Sequence, residues 1–356
     1  MATAGLSADP PVPPGAFAFP RDHGAHEAYG NEWWRCVGHL QARDGRRFDY
    51  AVTFFRFAVG SPSALRDGAN AWKTRDFYPA TLTLVDERSG RSISAERFAR
   101  DTFDLGAARS DRLGLQVIDW SLDGNGARDS RSERLTLHVG DGTTDLTLRA
   151  VSQKPAVSFG GGIVRRGPCT TCLSHEYALT SLRTDGFVTT GGEHVAVTGT
   201  SWFDHSYGSH ELARDELGWD RFSVTLDDGR EIWIDATRTA DGRYAPGTHA
   251  LIVERDGKAH ELPAAAYRLG GFDAAGWRSR KTGVRYPNLW ALTIPSAGLM
   301  LSLETVVADQ EVVAGLRGVA YWNGAVDVFD VTPGTPGKRL GAGYVELTGY
   351  ARPLRL

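Results

Sequence analysis

Hydrophobic and polar positions alternate in short runs along most of the chain. In RRFDYAVTFFRFAV (46–59), Phe48, Tyr50, Val52 and Phe54 fall on one parity, the two-residue period of a half-buried strand. LTLHV (135–139) and LTLRAV (146–151) flank an Asp141-Gly142 turn and predict a hairpin. FSVTL (222–226) with EIWIDAT (231–237), and ALIVE (250–254) with KAHEL (258–262), predict two more. WALTIP (290–295) and LMLSLETVV (299–307) continue the series. Helical spacing is confined to SAERFARDTF (94–103), which predicts a short helix, and HELARDEL (210–217), which predicts one turn between strands. SFGGGIV (158–164) lacks the Lys-Ser/Thr of a phosphate loop and opens no helix, so it reads as a turn or bulge.

Strands every 8–12 residues joined by Gly-containing turns predict an all-β protein of antiparallel barrels or sandwiches. At roughly 150 residues per domain, the 356-residue length points to two units. No repeat of 20–50 residues is legible, which disfavours propellers and solenoids. The polar, Gly-rich TDGFVTTGGEHV (184–195) is the expected seam. The expected organisation is a small, Pro-rich tail over 1–16, a first barrel over 17–187 and a second over 188–356, packed side by side with a cleft between them.

Composition narrows the function classes. Forty basic against forty-three acidic side chains give a net charge of −3, so no footprint for nucleic acid stands out. No apolar run approaches the roughly 18 residues of a membrane-spanning helix, although transient contact with a membrane surface stays compatible with an apolar ligand. The start, MATAGLSADPPVPPG, carries no signal-peptide pattern, and the compartment is left open. Cys36, Cys169 and Cys172 are too few for a disulfide scaffold. The Cys169-x-x-Cys172 pair is compatible with a local disulfide or two free thiols. Forty-two glycines and ten tryptophans suit tight turns and broad aromatic surfaces.

Polar and aromatic residues concentrate in segments 20–40, 165–182 and 197–234. On a strand, His175 and Tyr177 share a face, as do Trp202 and Asp204; if the two strands are neighbours, all four could line one pocket. A buried carboxylic acid beside aromatic faces suits protonation of an alkene and stabilisation of the resulting cation. The bland alternative makes Tyr177 and Trp202 core aromatics and Asp204 a turn cap. Asp22, His23, His26, His205 and His210 offer nitrogen and oxygen ligands without a familiar metal spacing, so no metal and no organic cofactor is expected. Asp22 and Glu32 are read as ties between the N-terminal segment and the first barrel. Trp33, Trp34 and Trp219 are either ligand walls or barrel plugs. Glu304 and Glu346 lie in strand-like runs, where an inward carboxylate needs a partner such as Arg317.

The stretches DHGAH (22–26), EWW (32–34) with VGHL (37–40), GTSWFDHSYG (199–208), GWDRFSVTLDDGRE (218–231), YWNGAVDV (321–328) and GAGYVELTGY (341–350) resemble the carotenoid 1,2-hydratase family, which includes hydroxyneurosporene synthase and AttH-type proteins. The resemblance implies two tandem lipocalin-like (calycin) barrels. It also implies an enzyme, a hydro-lyase or an intramolecular cyclase, acting on a small apolar, unsaturated isoprenoid or polyene. The alternatives are a pericyclase of the Diels–Alder type and a non-catalytic lipid carrier. Residue by residue, it carries a catalytic set onto His175, Tyr177, Trp202 and Asp204, with Asp204 as proton donor and His175 as its orienter. The family's Trp and Tyr are exchanged at Tyr177 and Trp202. Glu32, Trp33, Trp34, His205, Tyr207 and Trp219 are the expected substrate wall.

Overall fold

The computed structural model describes residues 17–59, 74–103, 105–165, 173–208, 212–245, 247–272, 276–314, 319–334 and 337–354. Cys169, Cys172, His210 and Arg317 lie outside the described residues. Among those described, the chain forms two curled antiparallel sheets and no α-helix.

The first sheet contains β1 (Asn31–Ala42), β2 (Arg47–Ala58), β3 (Asp76–Asp86), β4 (Arg91–Arg100), β5 (Gly106–Ala108), β6 (Gly114–Val117), β7 (Trp120–Gly124), β8 (Arg134–Gly140), β9 (Asp145–Ser152), β10 (Ile163–Arg165), β11 (Leu173–Thr190) and β12 (Glu193–Gly208). The second contains β13 (Glu216–Leu226), β14 (Glu231–Thr239), β15 (His249–Val253), β16 (Ala259–Glu261), β17 (Arg268–Gly271), β20 (Leu289–Ile294), β21 (Leu299–Thr305), β22 (Glu311–Ala314), β23 (Val319–Asp330) and β24 (Arg339–Leu347). A two-stranded ribbon, β18 (Trp277–Arg278) with β19 (Arg285–Tyr286), stands apart.

One topology is used twice. The first sheet runs β4-β3-β2-β1-β12-β11-β9-β8-β7-β6-β5, with β10 beside β11. The second runs β16-β15-β14-β13-β24-β23-β21-β20-β17, with β22 beside β23. In each, a four-strand meander is joined through its first strand to the last strand of the unit. Each sheet curls around its own apolar filling: Trp34, Phe48, Phe54, Trp120 and Phe203 in the first, Phe222, Trp290, Trp322 and Val345 in the second. These are near-barrels of the lipocalin-like kind.

The outer faces of β1, β2, β11 and β12 pack on the outer faces of β13, β14, β23 and β24. A third apolar cluster fills this contact, with Val37, Ala51, Ala178 and Trp202 against Trp233, Ala325 and Tyr344. Several glycines of these strands serve close approach rather than turning: a Cβ on Gly38 would stand 2.6 Å from both the Tyr50 ring and the Ser201 hydroxyl.

Two sequence expectations change. Residues 94–103 do not form a helix; β4 covers most of them, with ladder partners on β3 from Phe77↔Arg100 to Asp86↔Arg91. Hydrogen bonding to a formed neighbour outweighs a few residues of helical spacing. The segment 184–195, expected as the seam, is the tip of the β11–β12 hairpin inside the first sheet, with Thr190 opposite Glu193. The chain crosses between sheets after Gly208 and before Glu216. Residues 158–164 form the turn that was expected, with Gly160, Gly161 and Gly162 all at positive φ.

Candidate functional site

Register decides which of the chemically interesting residues meet. In the β11–β12 pair His175 lies opposite Tyr207, Tyr177 opposite His205, and Ala178 opposite Asp204. Directly paired residues project to the same face. His175, Tyr177, His205 and Tyr207 therefore point into the first barrel, while Trp202 and Asp204 point out of it. The four residues expected to share a pocket are divided by the thickness of the sheet.

The inward group meets the N-terminal segment, which folds into the barrel mouth. Glu32 is its anchor. The carboxylate accepts from the backbone N–H of His26, from His26 Nδ1 at 2.9 Å, from His205 Nε2 at 2.9 Å and from Arg56 Nε at 2.9 Å. Burial alone would raise this carboxyl, but the two histidines and the guanidinium hold it well below the usual range. Tyr207 stacks on His26 at 3.5 Å between centroids, and Trp34 stacks on His205 at 4.7 Å. Tyr177 hydrogen-bonds His23 Nδ1, and Tyr29 approaches His175 Nε2 at 3.4 Å. Burial pushes the imidazoles of His23 and His175 down, to about 3 and about 4. Among the described residues, His26, Glu32 and His205 bring ligand atoms within 4.8 Å of one another. Every oxygen of that set already serves hydrogen bonds, one to Arg56, which is the pattern of a saturated network. The Asp22 side chain accepts from the Ala18 backbone N–H within the segment, and its backbone carbonyl meets His205 Nδ1 at 3.1 Å; of the two expected ties, the side chain of Glu32 is the one that joins segment to barrel.

The outward group is ionic. Asp204 accepts from Arg35 Nε at 2.9 Å and from Arg221 Nη1 at 3.3 Å. Arg221 also holds Asp235 at 2.8 Å and lies 3.7 Å from Glu176, while Arg35 donates to Ser223 at 2.7 Å. Burial raises the Asp204 carboxyl and the two guanidiniums oppose that rise. This cluster joins β1 and β12 to β13 and β14, and Trp202 packs beside it against Trp233, ring centroids 6.1 Å apart.

Next to the cluster, between the sheets, a cleft opens. It encloses about 120 Å³ and widens into solvent at its mouth. Its wall from the first sheet is Trp33, Phe55, Phe57, Pro79 and Thr81; from the second unit it is Trp219, Val319, Tyr321, Glu346 and Leu354. Trp33 and Trp219 stack at 5.8 Å with 22° between their planes. The Arg221 guanidinium lies 5.4 Å from the Trp33 ring centroid. Across the cleft Thr81 and Tyr321 share a hydrogen bond of 3.0 Å. Among the described residues, one carboxylate faces this apolar space: Glu346, which accepts from Trp219 Nε1 at 2.9 Å.

The residues matching a family model for AttH-like proteins run from 10 to 350. The chain belongs to the AttH-like family. Among solved structures it is similar to the AttH protein NE1406 of Nitrosomonas europaea, with 27% identity, a TM-score of 0.80, and coverage of 95% of this chain and 98% of that one. It also resembles kievitone hydratase from Nectria haematococca at 17% identity and a TM-score of 0.68, covering 99% and 96% of the two chains. CghA, crystallised with Sch210972, shares 14% identity at a TM-score of 0.50, over 91% and 89%. At these last two identities the likeness is one of fold. A comparison with curated proteins gave no match.

Of the expected site residues in this AttH-like chain, Trp33 and Trp219 alone line the cleft. Glu32, Trp34, His175, Tyr177, His205 and Tyr207 fill the first barrel's mouth; Trp202 and Asp204 belong to the contact between the sheets. Glu346 was visible only as a strand carboxylate, and Arg35 and Arg221 were not singled out. A signal for them exists. Trp33-Trp34-Arg35 and Trp219-Asp220-Arg221 are the same Trp-x-Arg triplet on the equivalent strands β1 and β13. Opposite the arginines, Asp204 and Glu346 occupy equivalent positions on β12 and β24.

Proposed function

We propose that this AttH-like protein is an enzyme that binds a small apolar, unsaturated molecule in the cleft between its barrels and catalyses acid-assisted hydration or rearrangement of a carbon–carbon double bond. The observation that carries this reading is an aromatic cleft with, among the described residues, one carboxyl group in its wall. Glu346 is assigned the proton transfer: a proton passes from its carboxyl group to an alkene carbon, leaving a carboxylate and a carbocation. The faces of Trp33 and Trp219 stabilise that positive charge. A water molecule then adds its oxygen to the cation and returns a proton to Glu346, which completes hydration. Loss of a neighbouring proton to Glu346 instead gives an isomerised alkene. Asp204, held by Arg35 and Arg221, has a supporting role here: it fixes the two barrels, and with them the two walls of the cleft.

Incubation with linear isoprenoid polyenes in ¹⁸O-labelled water tests the reading. Hydration gives a product carrying the label. Glu346→Gln is expected to reduce turnover by about 10²–10⁴-fold, the usual range for a positioned acid, with unchanged melting. A cyclase acting by shape alone is the second reading, favoured by the scarcity of polar groups in the cleft; it gives an unlabelled isomer at a rate that Glu346→Gln leaves intact. Recovery of bound polyene unchanged in every case makes the protein a carrier and refutes catalysis.

A further inference from the structure

The first barrel carries an unusual rim. Phe98, Phe103, Leu105 and Ile118 are four large apolar side chains with 40%, 67%, 50% and 45% of their surfaces exposed. They converge on one end of the sheet. The Ile118 backbone N–H donates to the Leu105 carbonyl. Leu105 precedes β5, and Phe103 lies just beyond the end of β4. Phe98 is on β4 opposite Pro79.

Two of the four occupy costly backbone conformations. Phe103 has φ +60° and Ile118 φ +59°, and they are the non-glycine residues of positive φ among those described. Ile118 is the first residue of the two-residue turn between β6 and β7, where Val117 pairs with Trp120. Glycine is the usual occupant when that position has positive φ. A β-branched residue there is a genuine outlier, and strain of this kind clusters at functional surfaces.

The rim is also continuous with the cleft. Phe57 and Pro79 line the cleft. Phe57 pairs with Phe77, and Phe77 stacks on Phe98 at 5.4 Å. An aromatic track therefore leads along the outer face of β2, β3 and β4 to the exposed edge, on a face where polar residues are the ordinary choice.

We infer that this rim is a membrane-docking surface: Phe103, Leu105 and Ile118 enter the interfacial layer of a lipid bilayer, and Phe98 with Phe77 bridges the bilayer to the cleft. A bilayer fits better than a protein partner. The four side chains expose on the order of 400 Å² together, about half of what one side of a stable protein interface requires. Exposed apolar side chains at a sheet end gain by insertion into lipid. The neighbouring charges are largely balanced: Arg97 is paired with Asp119 and Arg75 with Asp101. Docking is thus expected on neutral lipid, without a need for anionic headgroups.

Co-sedimentation of the full chain with phosphatidylcholine vesicles, repeated with added phosphatidylglycerol, tests this. The wild type is expected to sediment with both. Ile118→Gly and Phe103→Asn place residues tolerant of positive φ at the strained positions, so melting temperature should hold or rise. Each should weaken vesicle binding about tenfold or more, while quenching of tryptophan fluorescence by a soluble polyene fatty acid stays unchanged. That last readout separates failure of docking from failure of the cleft reading. Absence of wild-type sedimentation, equal binding by the variants, or dependence on phosphatidylglycerol alone would overturn the proposal. So would conversion of a wild-type dimer to monomer by the variants, which would assign the rim to a second copy of the chain.

Discussion

The mouth of the first barrel and the cleft beside it are built from the same strands, yet they have opposite characters. Even-numbered residues of β1 and odd-numbered residues of β12 face the mouth: Glu32, Trp34, His205 and Tyr207. Their immediate neighbours, Trp33, Arg35, Trp202 and Asp204, face the second unit. The mouth holds most of the histidines and tyrosines that first suggest chemistry, and hydrogen bonds among themselves and with the N-terminal segment engage most of them, although His23 Nε2 is buried without a partner among the described residues. The cleft is poor in such groups, and that leaves room for a ligand. A high density of titratable residues can mark a structural plug, whereas Glu346, set in an apolar wall, faces what binds there.

The sharpest way to break this contrast is to truncate the two adjacent tryptophans. Trp34→Ala empties a fully buried position and should cost about 3–5 kcal/mol of stability in chemical denaturation. Trp33→Ala removes one side of a stacked pair that is itself buried and should cost about 3 kcal/mol or more, but unlike Trp34→Ala it should weaken binding of an apolar probe at least tenfold. Unaltered probe binding by Trp33→Ala would erase the distinction between the two faces.

Arg221→Leu probes the ionic cluster between the barrels. It strands Asp204 and Asp235 without their shared guanidinium and should destabilise the protein by about 3 kcal/mol or more. Its measurable sign is separation of one unfolding transition into two, because the barrels lose a principal tie. Retention of a single transition at the wild-type midpoint would show that the cluster does not couple them.

Acidification is expected to act on the mouth with a smaller effect. His23 and His175 are held below their ordinary value of 6.5, so the folded state keeps them neutral where the unfolded chain takes up protons. Their contribution is complete above about pH 6.5 and is lost as pH falls toward 4 and 3. Glu133, whose carboxyl lies 3.9 Å from His23 Nε2, opposes them: burial raises its carboxyl to about 7, so its contribution is complete below the unfolded value of 4.5 and is lost as pH rises through 7. Carboxyls elsewhere, Asp220, Glu231 and Glu87, are raised by burial to about 6, 7 and 8 and gain stability over the same range as pH falls, so the mouth is read from differences between variants and wild type. Relative to the wild type, Glu133→Gln should lose melting temperature on going from pH 6.5 to pH 4 and His175→Gln should gain it; profiles parallel to the wild type in both would contradict the placement of these groups.

The fold was largely legible because alternation and Gly-Asp turns report local pairing directly. The hairpins at 135–151 and 222–237 are examples, and the AttH-like resemblance carried the two-barrel plan. What sequence could not supply was register. Whether Tyr177 lies opposite His205 or opposite Asp204 depends on the long-range ladder, and a shift of one residue moves a side chain to the other face. The seam was missed for a related reason: a polar, Gly-rich tip of a long hairpin has the composition of a linker. The paired triplets Trp33-Trp34-Arg35 and Trp219-Asp220-Arg221 did hold the information, but their meaning emerges only when β1 and β13 are seen as equivalents.

The central claim is that the ligand site is the cleft between the sheets and not the interior of the first barrel. A crystal structure of the protein soaked with a linear polyene fatty acid tests it most directly. Ligand density lying against Trp33, Trp219 and Phe55, with Glu346 within reach of the polyene, is the predicted result. Density inside the first barrel, against His175 and Tyr177 with the N-terminal segment displaced, would contradict it.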